Sequence, residues 1–248
     1  MEAHKKVALS PAPHLSVVIP AFNSHSALDS NLPYLLSHLG TKKYLWEIIL
    51  VDDGSDDPTA LQLIADKYDL VFHRLPRNQG KGEALRKGTQ LAQGHYVVFT
   101  DSDIPYDCQT IDDMLESLET DLCDLALGSR FHRESSSHIK VPKLRAYGTI
   151  FFSKIVHWIL PSVEGDTQCG LKAFRRDRIG SIFQETKTQG FAFDVELILL
   201  TQNSNRKIKN FPVALRSQDG KSIHILFHGM RMIFAVLKIF LQNRNSRH

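Results

Sequence analysis

The sequence is poor in cysteine and has no long apolar segment. Its three cysteines, Cys108, Cys123 and Cys169, are odd in number and widely spaced, which predicts reduced thiols rather than a disulfide framework or a zinc site. No run reaches the ~18 consecutive apolar residues of a membrane-spanning helix. The polar beginning of the chain lacks the apolar core of a secretory signal. These absences predict a cytosolic protein and exclude the disulfide-rich secreted class.

Acidic residues are missing from the end of the chain. None follows Asp219, although five basic residues do. Between residues 223 and 241 apolar side chains recur at helical spacing and basic ones take the other face, as in a helix that lies in a membrane interface. A terminal helix packed on the protein's own core has the same spacing, so both interpretations are open. Residues 148–160 have a second apolar helical pattern that fits either one.

Short apolar runs alternate with helical patterns along the first half of the chain. Helices are predicted over Ser26–Leu39, after Pro58, and from Gly80 to Gln93. The predicted strands are Leu15–Ile19, Trp46–Val51, Leu70–Arg74, His95–Thr100 and Leu122–Leu127. This alternation predicts an α/β fold with a mainly parallel, doubly wound sheet. In such sheets ligands bind beyond the carboxyl ends of the strands.

Polar residues collect at those strand ends. Asn23 follows the first strand, Asp52 and Asp53 the second, and Asp101 and Asp103 the fourth. Two carboxylates one residue apart suit Mg²⁺ or Mn²⁺ bound together with a phosphate ligand. A loop with solvated acids or a helix cap is the other interpretation of this D-x-D pattern. The preceding strand and the other acids at the same edge favour the metal site.

Two further segments have a functional and a structural interpretation. The segment Asn78–Gly88 (NQGKGEALRKG) begins a helix with glycines and Lys81, and helix N-termini favour phosphate, although the spacing of a Walker loop is absent. A basic surface helix is the alternative. The segment VDDGSDD can bind a nucleoside through its acids, or it can be a turn followed by a helix N-cap.

Seven segments together carry a family resemblance. They are LSVVIPAFN, EIILVDDGSDD, NQGKGEALRKG, VVFTDSDI, LALGSRF, DTQCGLKAFRRD and FAFDVELI. Their order resembles that of the family-2 inverting glycosyltransferases with the GT-A fold. Over roughly Leu15 to Gly220 the set is most similar to the dolichyl-phosphate β-glucosyltransferase branch and its bacterial polyprenyl-phosphate relatives.

The resemblance implies a domain organisation. A polar segment, 1–14, precedes a GT-A (Rossmann-like) catalytic domain over 15–220. Within that domain the nucleotide-sugar half covers about 15–128 and the acceptor half 129–220. A basic amphipathic helix over 221–248 ends the chain.

The resemblance also implies roles for individual residues. Asp101 and Asp103 would hold the donor diphosphate through Mg²⁺ or Mn²⁺. Arg130 would meet phosphate, and Asp166, Gln168 and Cys169 would line the sugar or acceptor side. The residues implied in donor binding are Pro20, Ala21, Phe22, Asn23, Asp52, Asp53, Lys81 and Ser102. In dolichyl-phosphate mannosyltransferases a glutamine two residues beyond the D-x-D is a further metal ligand. Here that position is Pro105, so water or diphosphate oxygens would take its place.

The acceptor decides which further groups the chemistry needs. Breaking a sugar–diphosphate bond develops negative charge on the diphosphate, which a divalent cation neutralises. A hydroxyl acceptor needs a general base, with Asp166 and Asp194 as candidates, whereas a phosphate monoester is already largely ionised at neutral pH. A phosphate acceptor instead needs cations. The candidates are Arg130, Arg133, Lys143 and Arg145, although a solvated basic loop would show the same charges.

The sequence thus predicts a metal-dependent inverting glycosyltransferase. It would move a hexose, glucose first, from a nucleotide sugar such as UDP-glucose to a polyprenyl or dolichyl-type phosphate. The enzyme would associate peripherally with the inner, cytoplasmic face of a membrane. Transfer to a glycan or another hydroxyl is the enzymatic alternative. A basic membrane- or nucleic-acid-binding module leaves the acids at the sheet edge unexplained, so we expect no nucleic-acid partner.

Overall fold

The computed structural model describes residues 11–137, 154–159, 166–190, 192–216 and 233–241. The strands within these ranges are β1 (Leu15–Ala21), β2 (Trp46–Asp52), β3 (Val71–Arg74), β4 (Tyr96–Phe99), β5 (Leu125–Ser129), β6 (Ser136–Ser137), β7 (Lys172–Arg175), β8 (Ile208–Pro212) and β9 (Ala214–Leu215). The helices are α1 (His25–Leu39), α2 (Ala60–Lys67), α3 (Lys81–Leu91), α4 (Gln109–Glu119), α5 (Arg176–Glu185) and α6 (Phe193–Asn203). Residues 154–159 and 233–241 are also helical.

Seven of the described strands form one sheet in the order β3-β2-β1-β4-β7-β5-β8. Strands β1 to β4 pair in parallel, as do β5 and β8. Strand β7 runs antiparallel between β4 and β5. The predicted α/β fold with a mainly parallel sheet is therefore confirmed, and β6 and β9 form a separate short pair.

One boundary of the predicted elements is wrong, and two strands of the sheet were not predicted. The predicted fifth strand starts at Leu122, but that residue is exposed in a turn after α4 and β5 begins only at Leu125. The helix predicted after Pro58 is confirmed, because α2 begins at Ala60. Strands β7 and β8 were not predicted, because short runs such as KAFR carry charged residues at both ends.

Apolar side chains cover both faces of the sheet, as expected for buried strands. One core lies between the sheet and α1, α2 and α4, and the other between the sheet and α3, α5 and α6. Successive residues of β1 alternate between them, with Val17 and Ile19 in the first core and Val18 in the second. The three layers hold the carboxyl ends of β1, β2, β4 and β5 along one edge.

The helix at residues 233–241 has two apolar faces instead of the single one predicted. Val236 and Ile239 are buried in the second core. Phe234 (71%), Leu237 (38%) and Leu241 (59%) are exposed. The core-packed and the surface interpretations of this helix therefore each fit one of its faces.

The helix at residues 154–159 has the same division. Val156 and Ile159 are buried, and Trp158 is 82% exposed. Among the helices that the structure describes, none combines the length and the hydropathy that crossing a bilayer requires. The remaining parts of the predicted C-terminal helix, 221–232 and 242–248, lie outside the described residues. The predicted division of the catalytic domain falls within β5 and stays a prediction.

Candidate active site

The turn after β2 is built around Asp52, which is fully buried. Its Oδ1 accepts hydrogen bonds from the backbone N–H and the Oγ of Ser55 at 2.9 and 2.6 Å, and its Oδ2 accepts one from Arg74. Ser55 Oγ in turn accepts from the backbone N–H of Asn23 at 2.9 Å. These bonds join the ends of β1 and β2 and place Asn23 beside Asp52. Their predicted contact with the donor nucleoside stays a prediction.

Asp53 fixes the start of the helix that carries Lys81. Its two carboxylate oxygens accept hydrogen bonds from the backbone N–H groups of Gln79 and Gly80 at 2.7 and 2.8 Å. Burial raises the pKa of Asp53, although these two bonds act in the opposite direction. Gly80 has φ +95°, and a Cβ there would lie 2.5 Å from the carbonyl oxygen of Gln189. Only glycine fits this turn without strain.

Lys81, the first residue of α3, reaches the D-x-D segment. Its Nζ lies 2.7 Å from Asp101 Oδ1, an ion pair that was not predicted. Partial burial raises the pKa of Asp101, but the cations Lys81, Lys172 and Arg130 together bring it below the usual value. Asp101 is thus an ionised carboxylate in a cationic surrounding.

The backbone after Asp101 is in a rare conformation. The N–H of Ile104 donates to the carbonyl oxygen of Asp101 at 2.9 Å and closes the turn that contains Ser102 and Asp103. Ile104 has φ +43°, which is a steric outlier for a β-branched residue. Such strain costs on the order of 1–3 kcal/mol and is frequent at functional sites. It fits a role for the D-x-D turn beyond connecting two elements.

Arg130 and Asp166 form a bidentate ion pair that the sequence analysis did not predict. Arg130 Nε lies 2.6 Å from Asp166 Oδ2, and Nη2 lies 2.8 Å from Oδ1. The backbone N–H groups of Arg130 and Gln168 also donate to this carboxylate, at 3.0 and 3.2 Å. Burial raises the pKa of Asp166, yet the hydrogen bonds and charge of Arg130 outweigh it and bring the pKa below its usual value.

Asp194, the other carboxylate considered as a base, is also ion-paired. Its Oδ1 lies 2.7 Å from Nζ of Lys172, and both side chains are almost completely buried. Lys172 is a site residue that sequence reasoning missed. The signal was a lysine within GLKAF, a segment that is otherwise apolar.

The remaining residues with a predicted role lie partly at the edge of the sheet, partly in solvent and partly outside the described residues. Pro20 and Ala21 lie at the end of β1 opposite Val51 and Asp52, and Phe22 is exposed just beyond them. The side chain of Arg133 is 88% exposed and only 3.6 Å from Glu134, which fits a solvated residue. Lys143 and Arg145 lie outside the described residues.

The donor set at the D-x-D turn fits a metal that arrives with its phosphate ligand. Within the described ranges, no three or more His, Cys, Asp or Glu side chains are grouped so as to hold a metal ion. Mg²⁺ is commonly held by one or two carboxylates together with substrate phosphates. Asp101 and Asp103 satisfy this requirement, and their role as metal ligands stays a prediction.

Sequence comparisons agree with the predicted family. The model of "Glycosyl transferase family 2" matches residues 16–183. The chain is 32% identical over 242 residues to the dolichyl-phosphate beta-glucosyltransferase of Saccharomyces cerevisiae, covering 88% of this chain and 71% of the relative. The Dictyostelium discoideum protein of the same name is 29% identical over 240 residues, covering 91% and 73%.

Solved structures show the same fold. Glucosyl-3-phosphoglycerate synthase from Mycobacterium tuberculosis, in complex with Mn²⁺ and UDP-glucose, aligns with a TM-score of 0.68 at 20% identity, over 91% of this chain and 78% of that one. Staphylococcus aureus TarS with UDP-GlcNAc aligns with a TM-score of 0.53 at 18% identity, over 90% and 66%. With its GT-A-type fold and the family match across 16–183, the chain belongs to glycosyl transferase family 2.

Proposed function

We propose that the protein transfers glucose from UDP-glucose to a polyprenyl or dolichyl-type phosphate, with the help of Mg²⁺ or Mn²⁺. The names of the relatives support the sugar and the acceptor, because proteins 32% and 29% identical over most of the chain are dolichyl-phosphate beta-glucosyltransferases. A structural neighbour crystallised with Mn²⁺ and UDP-glucose supports the donor and the metal.

The ion pairs formed by the two candidate bases, Asp166 and Asp194, decide between a phosphate and a hydroxyl acceptor. Asp166 accepts hydrogen bonds on both oxygens and has a lowered pKa, and Asp194 is buried against Lys172. A general base must reach the hydroxyl group from which it takes a proton, and neither carboxylate is placed for this, because each is held by a cation of the protein. A phosphate monoester, with a second pKa of about 6, needs no base. The site therefore favours a phosphate acceptor over a hydroxyl.

Each residue then has a defined task. Asp101 and Asp103 would hold the metal, which when bound neutralises the charge that develops on the leaving diphosphate. Lys81 and the N-terminus of α3 add positive charge beside Asp101. Asp166 holds Arg130 by two guanidinium nitrogens. The side chain of Arg130 remains 28% exposed, so it can contact phosphate. An acceptor oxygen that attacks opposite the diphosphate inverts the configuration of the sugar carbon.

The proposal includes peripheral binding to the cytoplasmic face of a membrane. The hydrocarbon chain of a polyprenyl phosphate lies in a bilayer, so the enzyme must reach the membrane surface. Trp158, Phe234, Leu237 and Leu241 are large apolar side chains that remain exposed on two helices packed against the same core. Aromatic and apolar residues of this kind are typical of helices at a membrane interface.

A transfer assay with matched acceptors tests the proposal. The purified protein is given UDP-glucose and either polyprenyl phosphate or the corresponding polyprenol, which differs only in having a hydroxyl group in place of the phosphate. We expect a glucosylated lipid phosphate, no glucosylated alcohol, and loss of turnover with EDTA that Mn²⁺ restores. Equal transfer to the alcohol would contradict the proposed acceptor, and turnover that survives chelation would contradict the metal. GDP-mannose and UDP-galactose in parallel reactions test the donor.

A further inference from the structure

Lys172 is a fully buried lysine in the central sheet to which the proposed chemistry assigns no task. Its Nζ lies 2.7 Å from Asp194 Oδ1, 2.7 Å from the carbonyl oxygen of Cys169 and 3.2 Å from that of Thr167. An ammonium group has three N–H donors, so all three have an acceptor. The side chain is therefore held in one place.

The two carbonyl groups belong to the turn at 166–170, which lies between the two charged groups of the site. Asp166, at its start, holds Arg130 by the bidentate pair. Gly170, at its end, touches Asp101 so closely that a Cβ on Gly170 would lie 1.8 Å from Asp101 Oδ2. A shift of this turn would displace both Arg130 and Asp101.

The antiparallel direction of β7 makes this arrangement possible. Lys172 is the first residue of β7 and lies opposite Phe99 of β4 and Leu127 of β5. The turn at 166–170 therefore enters the sheet at the edge where β4 and β5 end. Lys172 reaches back from the strand to that turn and across to α6, which supplies Asp194.

Stability alone does not explain a charged pair at this position. Well-packed apolar residues of similar volume are often as stabilising as a buried ion pair, or more so. Apolar residues cannot bind carbonyl oxygens, however, and here the ammonium group binds two of them. What distinguishes the lysine from an apolar residue is thus that it donates hydrogen bonds to the backbone of the turn.

We infer that Lys172, with Asp194 as its counter-ion, is a positioning residue that holds the turn at 166–170 and through it the places of Asp101 and Arg130. The inference rests on the proposed function, which assigns Asp101 to the donor diphosphate and Arg130 to phosphate. The side chain of Lys172 is fully buried and is therefore not open to a substrate. Its loss should therefore reduce kcat much more than it changes the KM for UDP-glucose.

The test replaces the pair by apolar residues of similar size. Lys172→Met combined with Asp194→Leu leaves no unpaired buried charge. We expect kcat per folded protein to fall at least about tenfold, since a displacement near 1 Å can cost on the order of 10²-fold, while the KM for UDP-glucose stays within about threefold. Leu197→Ala is the matched control, because Leu197 is buried in the same helix and its truncation lowers stability while leaving Lys172 and Asp194 in place. Assays run at a temperature where every variant is folded.

Each result decides the inference. It is overturned if the double variant keeps kcat within threefold, or if Leu197→Ala loses as much. If the double variant does not fold, Lys172→Arg decides, because a guanidinium group keeps the charge but its planar fork does not match these three acceptors. A folded Lys172→Arg with full kcat overturns the inference, and so does failure of both variants to fold, which would assign Lys172 to the fold alone.

The same variants are assayed for hydrolysis of UDP-glucose without an acceptor. If the wild-type protein does not glucosylate polyprenyl phosphate, the proposed acceptor is wrong. The hydrolysis rates then still report on Lys172, because they depend on Asp101 and not on the acceptor.

Discussion

Replacing Phe234 and Leu237 by glutamate tests whether the exposed face of the helix at 233–241 binds a bilayer. Both side chains point away from the core, whereas Val236 and Ile239 on the opposite face are buried. The double substitution therefore places two negative charges on the surface and leaves the packed face unchanged. It separates membrane binding from folding within one helix.

The expected loss of binding follows from the area that would enter the lipid. Full insertion of a large apolar side chain contributes roughly 1.5–3 kcal/mol. Leu237 is already more than half covered, so we take the lower end for the pair, about 3 kcal/mol, or roughly a 10²-fold weaker partition. Repulsion between each glutamate and anionic lipid adds to this and is screened by salt.

Vesicle sedimentation and thermal melts measure the two effects side by side. We expect the double variant to lose binding to anionic vesicles, to keep nearly the wild-type melting temperature, and to keep turnover with a short water-soluble prenyl phosphate. The control is Ile239→Ala on the buried face, which should cost about 2–5 kcal/mol of stability and leave vesicle binding intact below its melting temperature. A double variant with a lowered melting temperature and full vesicle binding would refute the reasoning.

Four further results are expected. Asp103→Asn should keep the fold and remove most metal-dependent turnover, because an anionic ligand is lost near the leaving diphosphate; unchanged kcat at saturating Mn²⁺ would exclude that role. Arg130→Ala should raise the KM for a phosphate substrate about 10- to 100-fold, the equivalent of roughly 1.5–3 kcal/mol. It should also lower the melting temperature, because Asp166 stays buried without its partner. Donor and acceptor KM values that both stay within twofold of the wild type would contradict the first expectation. Asp194→Asn should keep kcat within about fivefold, since the amide oxygen still accepts from Lys172, whereas a loss of 10²- to 10⁴-fold in a stable variant is the mark of a general base. The pKa of Asp166 is lowered from 3.8 in the folded protein. The stability that ionised Asp166 gives to the fold should therefore be complete above about pH 4 and should decline as the pH falls further. Melting curves of the wild type and of Asp166→Asn between pH 2 and 7 measure this difference.

Local pattern was sufficient for the elements of the first half of the chain. The apolar run at Leu15–Ile19 and the stripe of leucines in 28–39 can be recognised from residues that are close in sequence. The bounds of β1 and α1 lie within two residues of the predicted ones. The position of Asp101 after a buried strand, and of Lys81 at a helix start, followed from the same reasoning. Their 2.7 Å contact was not predicted.

The residues that were missed depend on partners far away in the sequence. Lys172 looks like a surface residue until it meets Asp194, 22 residues later, in a buried pair. The pair of Arg130 and Asp166 spans 36 residues. Arg74 reaches Asp52 from a neighbouring strand. Periodicity reports which side of an element is apolar, but it does not report which charges will meet once the sheet is assembled.

The central place of β7 also determines when the sheet can be completed during synthesis. Strand β5 has β7 and β8 as its neighbours, and both follow it in the chain. A nascent polypeptide that ends before Lys172 therefore has β5 without either partner and β4 with one open edge. Open edges are templates for association with other chains, and pairs distant in sequence form slowly. The insertion of β7 also brings the turn at 166–170 to Asp101, so a folding intermediate with these edges open should also be unable to bind substrate.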